Sequence, residues 1–132
     1  MFNYAMLGTN DLPRAIKFYD AVMGLLGHER CFTEDHCAAW GTYGGDKAVR
    51  LYVGQPFDEQ PATVSNGGML ALRTRSPDLV EKAFETALAL GGKDEGAPGP
   101  RPQYGPGFYA AYVRDPDGNK LGFINYGPEA SK

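Results

Sequence analysis

Three groups of residues in this chain are of types that could do chemistry. His28, Cys31, His36 and Cys37 offer two imidazoles and two thiols within one short stretch. Their spacing matches no standard zinc pattern, and they fall on a hairpin, so the turn decides what they share. With Glu34-Asp35 as a two-residue turn, Cys31 faces Ala38 and Phe32 faces Cys37, and the thiols lie on opposite faces; a three-residue turn would bring them diagonal on one face. Ordinary strand residues are the expectation, with metal or redox chemistry the alternative. Asp115, Asp117 and Asn119 have the alternation that opens a calcium loop. However, Lys120 stands where glycine is needed and Tyr126 where glutamate is needed, so turn geometry explains them better. Ser76 precedes Pro77 and reads as a helix cap, not a nucleophile. No phosphate loop, dinucleotide fingerprint or Gly-x-Ser-x-Gly occurs. What remains is Arg50 and Arg73 among Tyr4, Tyr52, Tyr104, Tyr109, Tyr112 and Trp40. Those types suit holding an anionic or carbonyl group against aromatic rings.

The bulk composition limits the rest. At 132 residues, 42% hydrophobic and 22% charged, the chain suits one folded domain able to bury its own core. A net charge of -3 with no run of Lys or Arg gives no reason to expect a nucleic-acid partner. The apolar segments are too short for a membrane span, and the first residues carry no signal-peptide charge. Two cysteines make no disulfide framework. A cytoplasmic protein is expected.

Candidate positions need elements to hold them. Phe2–Leu7 reads as a strand, ended by Gly8-Thr9-Asn10-Asp11, and Asn10 or Asp11 can cap a helix that tolerates Pro13 in its first turn. Leu12, Ala15, Ile16, Tyr19, Val22, Met23 and Leu26 then form one apolar stripe. Strands are expected over 28–33, 37–42 and 47–54. Gln55–Pro61, with two prolines and no periodicity, is a linker. The order then repeats: a strand over 68–73, a helix started by Ser76-Pro77-Asp78 with Leu79, Val80, Ala83, Phe84, Ala87, Leu88 and Leu90 on its apolar face, and strands over 93–97, 107–114 and 119–126. The reading is therefore α+β, two paired βαβββ modules at 1–54 and 67–127 joined by 55–66, with a central cavity.

Several segments carry a family likeness. They are Gly8-Thr9-Asn10-Asp11-Leu12 with Phe18-Tyr19-Asp20, Asn66-Gly67-Gly68-Met69, Ala87–Gly92, and Tyr112-Val113-Arg114-Asp115-Pro116-Asp117-Gly118-Asn119-Lys120. In this order, inside a repeat, they resemble the vicinal oxygen chelate superfamily of glyoxalases, bleomycin-resistance proteins and dioxygenases over essentially the whole chain. The resemblance implies two histidines and one or two glutamates from the first and fourth strand of each module, holding a divalent ion that polarises substrate oxygens. Those positions fall on Tyr4, Met69, Gly122 and either Arg50 or Val49. None supplies an imidazole or a carboxylate, so no metal and no cofactor is expected.

Strand alternation puts Phe2, Tyr4 and Met6, Arg50 and Tyr52, Met69, Ala71 and Arg73, and Gly122, Ile124 and Tyr126 on the cavity side. Val49, Leu51, Val53, Leu70 and Leu72 are left for the helices. The expected ligand contacts are Tyr4, Trp40, Arg50, Tyr52, Met69, Arg73, Tyr109 and Gly122, with Gly122 leaving room. The alternative is that the aromatics fill core and Arg50 reaches solvent. The functional expectation is a metal-free pocket for an aromatic or apolar small molecule with an anionic or carbonyl group. A drug-sequestering protein of the bleomycin-resistance kind is one version, although the neutral and basic lining argues against a cationic ligand. The competing expectation is a lyase- or isomerase-type enzyme, metal-dependent or using Tyr4, Tyr52 or Tyr109 as acid and Arg50 as oxyanion stabiliser. Whether it is an enzyme, and which residues would be catalytic, stays open. The resemblance also implies a homodimer.

Overall fold

The computed structural model describes residues 1–127. Eight strands and two helices follow one another as β1 (Tyr4–Gly8), α1 (Leu12–Leu25), β2 (Arg30–Thr33), β3 (Cys37–Thr42), β4 (Val49–Gly54), β5 (Leu70–Arg73), α2 (Pro77–Ala89), β6 (Lys93–Pro100), β7 (Tyr109–Arg114) and β8 (Lys120–Asn125). They form two four-stranded mixed sheets with matching topology, β1-β4-β3-β2 and β5-β8-β7-β6. In each, the first strand runs parallel to the fourth, and the others pair antiparallel.

The helices start where side chains replace missing backbone partners. The Asp11 carboxylate accepts from the Arg14 N–H at 3.1 Å, and the Ser76 hydroxyl from the Leu79 N–H at 3.2 Å. Each ends before a glycine in the left-handed region, Gly27 (φ 89°) and Gly91 (φ 97°). Their apolar stripes meet the sheets in one core. It runs from Phe18, Tyr19 and Val22 of α1 through Leu51 and Val53 to Val80 and Ala83 of α2, Leu121 and Phe123. Each large side chain buried there is worth about 1.5–3 kcal/mol. Leu70 and Leu72 pack on this core as well. The helix side of each sheet is thus the one strand alternation selects, except that Val49 at the start of β4 stays exposed.

Several boundaries differ from expectation. β1 starts at Tyr4 and β5 at Leu70, while β6 runs on to Pro100 with irregular pairing at Gly96 and Gly99. The β2–β3 turn is centred on Asp35 and His36, because the Glu34 N–H bonds the Cys37 carbonyl at 2.9 Å. This is one residue later than the two-residue Glu34-Asp35 turn considered from sequence, and Cys31 sits in a bulge between the paired Arg30 and Phe32.

The two modules are latched at one corner. Asp115, 3% exposed, lies in the β7–β8 turn and accepts from the Tyr19 hydroxyl at 2.5 Å and from the Asn119 side chain at 2.9 Å. Its other oxygen accepts from the Asp117 and Asn119 N–H groups. Asp117 in turn takes the Thr9 hydroxyl, the Asn10 N–H and the Arg14 guanidinium. The Asn119 amide reaches the Gly8 carbonyl. The residues that resemble a calcium loop are therefore occupied by the chain itself.

Candidate functional site

The side of each sheet away from the helices is open. On the first sheet Tyr4 is 55% exposed, and Met6 and Phe32 are also exposed. Here Tyr4 lies directly across from Arg50 and Met6 from Tyr52. The Tyr4 and Tyr52 rings meet edge to face at 5.1 Å, and Phe32 stands edge-on to Tyr52 at 6.3 Å. The Arg50 guanidinium lies 4.3 Å from the Tyr43 ring centre and 5.7 Å from that of Tyr52. One of its NH2 groups donates to the Asn3 side chain at 3.2 Å, but its buried Nε has no partner. The ion pairs among the described residues are Arg14–Asp117, Arg30–Asp20 and Arg114–Glu95, so Arg50 has no carboxylate. A buried donor left unbonded costs about 1–3 kcal/mol. The aromatic stacking holds this cation in place and leaves it able to bind an anion.

Beside it, a cleft of about 460 Å³ separates the first sheet from edge strand β5. Tyr4, Trp40, Arg50 and Met69 line it together, with Phe2 and His28, and most of its wall is apolar. Four of the eight residues singled out from sequence thus converge. Tyr52 is not on the cleft wall but supports both Tyr4 and Arg50.

The other three lie elsewhere. Arg73 is exposed at the far end of β5, across from Ile124. Tyr109 belongs to the helix side, where its hydroxyl donates to Glu81 at 2.6 Å. Gly122 does not leave an empty space: a Cβ there would meet the Tyr112 ring at 3.2 Å and the Ile124 side chain at 3.2 Å. Trp40 also needs a correction of face. It is 1% exposed, packs on Tyr19 from the helix side and donates to Asp20 at 2.9 Å, so only part of it reaches the cleft.

The open side of the second sheet carries its own groove of about 550 Å³, lined by Met69, Ala71, Tyr104, Phe108, Tyr112 and Lys120. The loop after β6 folds over part of this face, and Phe108 packs with Ala110 and Ile124 in a small second core. Sequence reading missed Tyr43 and Lys120. Tyr43 sits in a turn, where alternation says nothing. Lys120 shares the parity of Gly122 and could have been found from it.

The register identifies the counterparts between modules. Gly8 pairs with Gly54 and Arg73 with Ile124, so Met69 corresponds to Tyr4, Lys120 to Arg50 and Gly122 to Tyr52. The position equivalent to Gly122 in the first module is therefore Tyr52, neither Arg50 nor Val49. The four positions hold two phenols, a thioether and no side chain at all, next to a guanidinium. That set does not fit a divalent cation, which wants imidazole, carboxylate or thiolate. Among the described residues no three His, Cys, Asp or Glu gather to hold a metal elsewhere.

Two titrating groups bear on reactivity. Hydrogen bonding with Tyr52, then loss of solvent, raises the Tyr43 phenol above its ordinary value, so it stays protonated beside Arg50. Burial likewise raises the Cys37 thiol, which disfavours a thiolate.

The family model for the Glyoxalase/Bleomycin resistance protein/Dioxygenase superfamily matches residues 1–123. A glyoxalase/bleomycin resistance protein from Albidiferax ferrireducens T118 is 34% identical in sequence; the match has a TM-score of 0.83 and covers 94% of this chain and 97% of that one. A glyoxalase-related enzyme from Fulvimarina pelagi is 21% identical, with a TM-score of 0.72 and coverage of 94% and 86%. A lactoylglutathione lyase from Agrobacterium tumefaciens is 21% identical, with a TM-score of 0.64 and coverage of 94% and 92%. The last two share the fold. Comparison with curated proteins finds no match.

Proposed function

The chain belongs to the glyoxalase/bleomycin resistance protein/dioxygenase superfamily, and we propose that it binds a small apolar or aromatic molecule through an anionic or carbonyl group, without a metal ion. The observation that carries this reading is Arg50, half-buried and paired with no carboxylate among the described residues, at the rim of an apolar cleft. A guanidinium donates two parallel hydrogen bonds to a carboxylate, and the tyrosine rings that flank it exclude water from that pair. The apolar cleft wall takes the body of the ligand.

We further propose that a second copy of the chain covers the open faces. Tyr4, Met6, Phe32, Met69, Tyr104 and Tyr126 are more exposed apolar surface than two sheet faces usually leave to water. Sedimentation velocity checks this: a dimer is expected, and Tyr4→Asp with Met69→Glu should shift it to monomer.

A thermal-shift and calorimetric screen of aryl carboxylates, each beside its neutral amide, tests the binding reading. Carboxylates should raise the melting temperature and amides should not, with no metal added. If binding needs a stoichiometric divalent ion, the metal-free reading fails.

A further inference from the structure

We infer that the ligand is a dianion, an apolar body with two carboxylate-like groups, one held by Arg50 and the other by Lys120; this rests on the Arg50 reading above. The register makes Lys120 the counterpart of Arg50, since Gly8 pairs with Gly54 and Arg73 with Ile124, and Arg50 and Lys120 stand equally far before Gly54 and Ile124. Each lies over a tyrosine of its own sheet, Arg50 over Tyr52 and Lys120 over Tyr112 at 5.8 Å. Both are half-buried, and neither belongs to an ion pair among the described residues, although acidic side chains outnumber basic ones 16 to 13. The acid nearest in effect to Lys120, Glu95, is taken by Arg114 at 2.7 Å. Half-buried cations without partners are uncommon, and two at equivalent positions call for one explanation.

The two grooves supply it. The cleft beside Arg50 and the groove beside Lys120 share Met69 and Ala71, so strand β5 is the common wall between the two charges. A molecule lying across Met69 presents its apolar middle to the thioether and its ends to the two cations. A monoanion in the same place would neutralise one cation and leave the other.

The test uses the full chain and a series of aryl dicarboxylates of increasing length, phenylene, naphthalene and biphenyl, each against its own monocarboxylate by titration calorimetry. At least one dicarboxylate should bind about tenfold or more tightly than its monocarboxylate, with one molecule per chain. Lys120→Met should abolish that advantage, while Lys120→Arg should retain it. Arg50→Met should weaken both. If monocarboxylates bind through Arg50 but no dicarboxylate gains, or the gain survives Lys120→Met, or two monocarboxylates bind per chain, the dianion inference falls alone. If no carboxylate binding depends on Arg50, the underlying reading falls with it.

Discussion

The two open faces each pair a tyrosine with a small residue, in opposite order. On the first sheet Tyr52 of the fourth strand lies across from Ala39. On the second, Gly122 of the fourth strand lies across from Tyr112. Each module therefore puts one phenol ring over the same spot, reached from a different strand. A single position read alone misleads here, because Gly122 looks like space until Tyr112 is placed beside it. What the faces hold in common is a cation over that ring, Arg50 or Lys120. The turns differ more than the faces do. The β3–β4 connection at Gly44–Lys47 is exposed, whereas its counterpart at Asp115–Asn119 ties the second module to the first.

The largest effect should come from breaking that asymmetry of turns. Asp115→Ala removes a buried carboxylate that four donors share and should cost about 3 kcal/mol or more. Asp46→Ala, in the exposed turn, should stay within about 0.5 kcal/mol. Urea denaturation of the two variants measures both, and equal losses would refute the distinction. Next, Gly122→Glu puts the family's carboxylate back at its position, against the Tyr112 ring. Overpacking there should cost about 2 kcal/mol, and Tyr112→Ala in the same chain should recover part of it. A neutral Gly122→Glu would mean the ring does not fill that space.

The latch also sets an alkaline limit. Burial, then the Asp115 charge, raises the Tyr19 phenol well above its ordinary value. The folded state then holds a proton that the unfolded chain releases near pH 10. Stability from this group is complete below about pH 10 and is lost as pH rises toward the folded value, by about 1.4 kcal/mol per pH unit. Tyr19→Phe should be less stable at pH 7 by about 1–3 kcal/mol, because a donor to buried Asp115 is gone. Its stability should fall less steeply above pH 10. Parallel slopes for the two proteins would show that another group controls alkaline unfolding. Among the open-face variants, the smallest stability change belongs to Arg50→Met. Removing an unbonded Nε and keeping an apolar stem should leave stability within about 1 kcal/mol.

Much of this was legible from the chain. Alternation within β1, β4 and β5 placed Tyr4, Arg50, Tyr52 and Met69 on the open side, because Leu51, Val53, Leu70 and Leu72 mark the opposite side as core. It failed where neighbours give no contrast. Trp40 is flanked by Ala38, Ala39 and Gly41, and Tyr109 by Ala110 and Ala111, so nothing local says which way either ring points. The Tyr52 equivalence needed pairing partners, which no single strand contains. The Tyr112–Gly122 contact needed two strands in register. The caps were readable because Asp11 and Ser76 act on residues within their own turn.

The central claim is that Arg50 anchors an apolar organic anion, and one measurement tests it most directly. Titration calorimetry of naphthalene-2-carboxylate against the native chain, Arg50→Met and, in parallel, the corresponding amide isolates the charge pair from the apolar contact. About tenfold or greater weakening is expected both on loss of the guanidinium and on loss of the carboxylate charge. Equal affinity of the carboxylate for the native chain and for Arg50→Met would contradict it.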